Sequence, residues 1–155
     1  MYLVTVVLLL AVLPLASIGL EVARQPGADL FALIGRWFVF WPVGVRPMLA
    51  AILQIARPAL AADIFDVDDP KALPIMREAG LGNVAIGALG LISLVVPAWT
   101  QPAALVGALF YGLAGLGHLH PKRTGHETIA LVSDAAIAGI LLVWLAVSLL
   151  MHGVG

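Results

Sequence analysis

Residues 74–90 read PIMREAGLGNVAIGALG, and the reading of this stretch decides the fold. Gly80-Leu81-Gly82-Asn83 resembles the opening of a dinucleotide-binding turn. Such a turn needs a strand before it and an acidic residue about 20 positions later to hold a ribose. Neither is present. A flexible linker is excluded as well, because Val84 to Val96 is nearly unbroken apolar sequence. The stretch therefore reads as the start of a helix. At about 100° per residue, Asn83, Gly87 and Gly90 share one face with Gly80 close by, and Glu78 points about 140° away from Asn83.

The rest of the chain says which solvent that helix meets. Of 155 residues, 62% are hydrophobic and 11% are charged. Soluble domains carry about 45–50% apolar and about 25% charged residues. A soluble fold of this length cannot hide so much apolar surface, so the composition reads as an integral membrane protein in the lipid bilayer. A net charge of −1, with no basic cluster interleaved with aromatics, argues against nucleic acid as a partner. Cysteine is absent, which excludes disulfides, iron–sulfur ligation, zinc thiolates and thiol catalysis.

Five apolar stretches lie at about residues 2–23, 37–56, 75–96, 103–119 and 128–151. Each approaches the roughly 20 residues needed to cross a hydrocarbon core. Backbone groups in lipid must bond within their own segment, so the stretches are expected to be helices. The fold class is all-α, a polytopic bundle of five transmembrane helices forming one domain over residues 1–155. The first stretch lacks a basic n-region and is longer than the usual signal-peptide core of about 7–15 residues, so it reads as a retained helix. Arg57, Lys71, Arg77, Lys122 and Arg123 fall on one side, Arg24 and Arg36 on the other. The positive-inside rule then puts the N-terminus in the cytoplasm and the C-terminus outside, in a multi-pass cell (inner) membrane protein.

The connection DIFDVDD carries Asp63, Asp66, Asp68 and Asp69 but lacks the offsets, central Gly and closing Glu of a calcium loop. It reads as a solvated acidic loop. RPALAADIF before it has the character of a short amphipathic interfacial helix.

Ionisable groups at membrane depth are costly and usually face the bundle interior. Arg46 lies about 16 Å from the helix end near Arg57, and Asp134 about 9–12 Å into the last stretch from the same side. Helical phase groups Ala104, Gly107, Tyr111, Gly115 and His118 on one face, and Glu127, Ala130, Asp134, Ala138 and Leu141 on another. In the second stretch, Arg46 aligns with Val39, Ala50, Leu53 and Arg57. Small residues let membrane helices approach, and polar groups then bond across them. The expected polar interior is Arg46, Asn83, Tyr111, His118 and Asp134. Two readings of it stand side by side. In one, Arg46 and Asp134 neutralise each other and fix helix register. In the other, the cluster binds a small ligand, a proton or a quinone headgroup. His118 and His120 point to different faces unless the helix unwinds at Pro121, and with His126 they form an interfacial cluster. Neither a metal nor haem is expected, and no cofactor is implied. No nucleophile elbow, zinc-protease helix or phosphate loop occurs, so no catalytic residue is assigned.

These features resemble a family of small prokaryotic membrane proteins classed as a domain of unknown function. The resemblance runs from about Gly35 onward. It rests on the Arg and aromatics of GRWFVFWPVG, on Glu78, Gly80 and Asn83 as a Glu-x-Gly-x-x-Asn element, on Gly117-His118, and on Asp134. The family pattern has a Gly-His near the end of the second helix, where this chain has Gln54. The resemblance implies no activity. A looser similarity is to four-helix DoxX-like proteins, some of which partner membrane oxidoreductases. The sequence thus reads as a small non-enzymatic accessory subunit, or a small-ligand-binding membrane module with a polar site in the cytoplasmic half. Its partners would be the bilayer and a larger membrane complex or homo-oligomer. The alternatives are a proton-linked small-solute transporter or channel, and a quinone-associated subunit of a membrane oxidoreductase.

Overall fold

The structure, a computed structural model, describes residues 2–64, 67, 69–119 and 125–152. Asp66, Asp68, His120, Lys122 and Arg123, and the side chain of His126, lie outside the described residues. Among the described residues there is no strand, and the chain forms six helices. They are α1 (2–24), α2 (Leu30–Ala56), α3 (Pro58–Ile64), α4 (Leu73–Ile92), α5 (Thr100–Gly117) and α6 (Gly125–His152). Four spans, Leu3–Arg24, Leu30–Ala56, Pro70–Ile92 and Glu127–Met151, are long and apolar enough to cross a membrane. With 18 residues, α5 is shorter, and Thr100, Gln101 and Pro102 open it.

The five expected helices are present with displaced ends. α2 begins seven residues before Trp37 because Asp29 caps it, its carboxylate accepting from the Phe31 and Ala32 amides at 2.9 and 3.3 Å. Such a cap satisfies amides that the first turn leaves unpaired. The turn before it uses Gly27 at φ 104°, a conformation open to glycine. Asp69 likewise accepts from the Lys71 amide at 2.9 Å ahead of α4. α4 stops at Ile92, four residues early, where the Ser93 hydroxyl donates back to the Gly90 carbonyl at 2.8 Å. RPALAADIF supplies the sixth helix, α3, which buries Pro58, Ala61 and Ala62.

Two π-turns interrupt the long helices, Leu8–Val12 in α1 and Phe40–Val45 in α2. Each ends two residues before a proline, Pro14 and Pro47. Proline has no N–H to give an i−4 carbonyl, and the helix absorbs the gap by one wider turn. The Leu13 amide reaches the Leu8 carbonyl, and the Arg46 amide reaches the Trp41 carbonyl. In α2 the extra residue also breaks the even phase that would align Val39 with Arg46. Beyond the turn Arg46, Ala50, Leu53 and Arg57 keep one phase, but the buried face there is Pro47, Ala51 and Gln54, and Arg57 is exposed.

The core runs through α1, α2, α5 and α6, with Val39, Val43, Ala103, Ala104, Tyr111, Ile137 and Leu141 at its centre. α4 lies against the second half of α2. There the two backbones touch: a side-chain carbon at Gly90 would collide with the Gly44 backbone, and one at Gly87 would sit 3.0 Å from the Gly44 carbonyl oxygen. At Gly35 it would strike the Trp144 ring, whose N–H donates to the Phe31 carbonyl at 2.8 Å. Small residues at these crossings set the helix spacing.

Candidate functional site

The π-turn of α2 leaves one carbonyl without a helical donor. The Pro42 oxygen would accept from residue 46 in an α-turn or residue 47 in a π-turn. The Arg46 amide is already given to Trp41, and Pro47 has none. The Tyr111 hydroxyl, reaching across from α5, donates to that oxygen at 2.5 Å. A buried carbonyl left alone is costly, so the phenol does structural work in a 2% exposed position.

One residue past the turn, Arg46 projects towards α6 and donates from Nη1 to the Asp134 carboxylate at 3.1 Å. Its guanidinium carbon also lies 5.0 Å from the centre of the Tyr111 ring, a cation–π placement. Exposure falls from 20% for the Arg46 side chain to 6% for Asp134, so the carboxylate is the deeper member. Small residues open the space. Gly115 of α5 faces Asp134, where an added carbon would rest 3.7 Å from the Asp134 Cβ. His118, half-buried, caps the end of α5 about one turn beyond Gly115.

The structure therefore brings Arg46, Tyr111 and Asp134 into one cluster with His118 at its edge. Asn83 does not join them. Its amide donates to the Gln54 side-chain oxygen at 2.8 Å, in the buried seam between α2 and α4. Gln54 went unassigned by sequence reasoning. It lies on the buried face of Pro47 and Ala51, about 80° around the helix from Arg46.

A second polar group was also missed. Near the opposite end of the bundle, Glu21 of α1 accepts from Arg36 at 2.5 Å and from the Trp37 indole at 2.8 Å, and Ser17 accepts from the Trp41 indole at 3.0 Å. The signal was present as two i, i+4 pairs, Ser17/Glu21 and Trp37/Trp41, which place matching groups on facing helices.

Among the described residues no three His, Asp or Glu side chains come together as a metal site, and every buried side-chain nitrogen or oxygen has a partner. Two open grooves, of about 430 and 340 Å³, flank α6 elsewhere. Phe31, Ile34 and Trp144 wall one; Val6, Leu10 and Phe38 wall the other.

A model described as a family of unknown function (DUF6790) matches residues 1–153. The chain belongs to the DUF6790 family. No curated protein and no solved structure matches it. Membership in DUF6790 agrees with the resemblance to an uncharacterised family and adds no activity to the cluster.

Proposed function

We propose that this chain is an integral membrane protein, a single bundle of five crossings that acts as a non-enzymatic accessory subunit. One observation carries the reading. The apolar residues are in large part on the outside: the span Leu3–Arg24 has mean hydropathy 2.7 with only 28% of it buried, and Glu127–Met151 has 2.2 with 44% buried. Leu3, Val4, Leu15, Leu20, Leu142 and Val143 are all exposed. Water does not tolerate such a surface, whereas lipid matches it. Within the spans Arg46 and Asp134, and Asn83 and Gln54, are meanwhile turned into the bundle and paired there, as a hydrocarbon solvent demands. α5 is about 27 Å long by helical rise, and the turn at Pro97–Trp99 extends it.

In this reading the Arg46–Asp134 pair fixes the rotation of α6 against α2 in the cytoplasmic half, and the protein's task is carried by its outer surface. The tests are direct. The chain should stay in the membrane pellet after alkaline carbonate extraction, and a larger complex should co-purify in mild detergent. Release by carbonate overturns the reading.

His118 at the end of α5, three residues beyond the Gly115 that faces Asp134, favours a second reading, proton-linked passage of a small solute with Arg46 as counter-charge. Flux into liposomes that Asp134→Asn abolishes would establish it in place of the first.

A further inference from the structure

We infer that the outward face of α4 is a seam for a second copy of this chain; the inference rests on the membrane reading above. α4 touches the bundle along Gly80, Asn83, Gly87 and Gly90, all buried. The opposite side is bare. The span Pro70–Ile92 has 22% of its residues buried, the lowest of the four long spans. On that side Glu78, Leu81, Ala85, Ala88 and Ile92 recur at intervals of three and four, the seam spacing of a left-handed helix pair. Leu81 is 63% exposed and Ile92 37% exposed. Ala85 and Ala88 are small enough for backbones to close on one another.

The charges choose the occupant. Arg77 and Glu78 are adjacent and exposed, one turn inside the start of α4. No ion pair to either exists among the described residues. Two copies in one membrane share an orientation, so a symmetric pair turns about an axis along the membrane normal. Residues of equal number then meet at equal depth. Adjacent opposite charges become self-complementary under that operation: Arg77 faces the partner's Glu78, and Glu78 the partner's Arg77. A neutral or singly charged seam would carry no such preference for its own kind.

The chain contains no cysteine, so single substitutions give clean cross-links. Leu81→Cys, Ala85→Cys and Ala88→Cys should each form a covalent dimer when native membranes are mildly oxidised. Leu113→Cys on α5 and Val132→Cys on α6, at positions 66% and 64% exposed, should not. Adding Glu78→Arg to Ala85→Cys should remove the dimer, and adding Arg77→Glu to that variant should restore it. The inference is overturned if the seam cysteines stay monomeric, if they link no better than the two controls, or if they capture a different protein. It is also overturned if the charge swap fails to restore a dimer while the protein remains in the carbonate-resistant pellet. Loss from that pellet before any substitution would instead defeat the membrane reading, which keeps the two failures apart.

Discussion

Two charge ties among the described residues, Glu21–Arg36 and Asp134–Arg46, are built differently. Near the ends of α1 and the beginning of α2, Glu21 takes two donors, Arg36 and Trp37, with side chains 23% and 40% exposed for Glu21 and Arg36. In the interior, Asp134 is paired with Arg46 at 3.1 Å and is 6% exposed. The shorter pair has the better solvent access. Burial therefore, rather than distance, should decide what each tie is worth, because removing one partner of a buried pair strands a charge that an exposed site would hydrate.

The largest effect should come from Asp134→Ala. Stranding Arg46 should lower stability by about 3–5 kcal/mol, read as unfolding in mixed detergent and SDS micelles. The double replacement Arg46→Met with Asp134→Leu should recover most of that loss, since two apolar groups leave no charge unpaired. A double variant as unstable as the single one would show that the pair contributes attraction beyond its own desolvation. Tyr111→Phe comes next. It deprives the Pro42 carbonyl of its donor and should cost about 1–3 kcal/mol, with amide exchange rising around residues 40–47. Asn83→Ala should cost about 0.5–1.5 kcal/mol, the range of side-chain bonds between membrane helices. Glu21→Gln should be mildest, about 0–1 kcal/mol and weaker still at high salt. If Glu21→Gln proves as damaging as Asp134→Ala, burial is not the ruling variable and the comparison fails.

Much of this was legible from residue types alone. Five apolar runs give the long helices, and the faces Asn83/Gly87/Gly90 and Tyr111/Gly115/His118 come from simple phase counting. Arg46 and Asp134, as lone opposite charges in apolar runs, point to each other. The faults have physical causes. Helix ends moved where one polar side chain changed the local balance, Asp29 at the start of α2 and Ser93 at the end of α4. Asn83 was grouped with Arg46, whereas its partner is Gln54, about 80° around α2 from Arg46 and about two turns further along. A proline announces that a carbonyl will lose its donor. It does not announce whether the chain answers with a kink or with an extra residue, as α2 does here.

That extra residue lets one helix present two differently aimed sides. Before Phe40, α2 offers Leu33 and Phe38 to the core, and after Val45 it offers Ala51 and Gln54 to α4. Shortening the chain by one residue within 40–45 would straighten the winding and turn everything downstream, like a key cut for the wrong ward. Gln54 would swing off Asn83 while Gly44 and Gly90 lost their alignment together. A length change of one residue there should thus undo more than most substitutions in the same segment, although it removes no charge and opens no cavity.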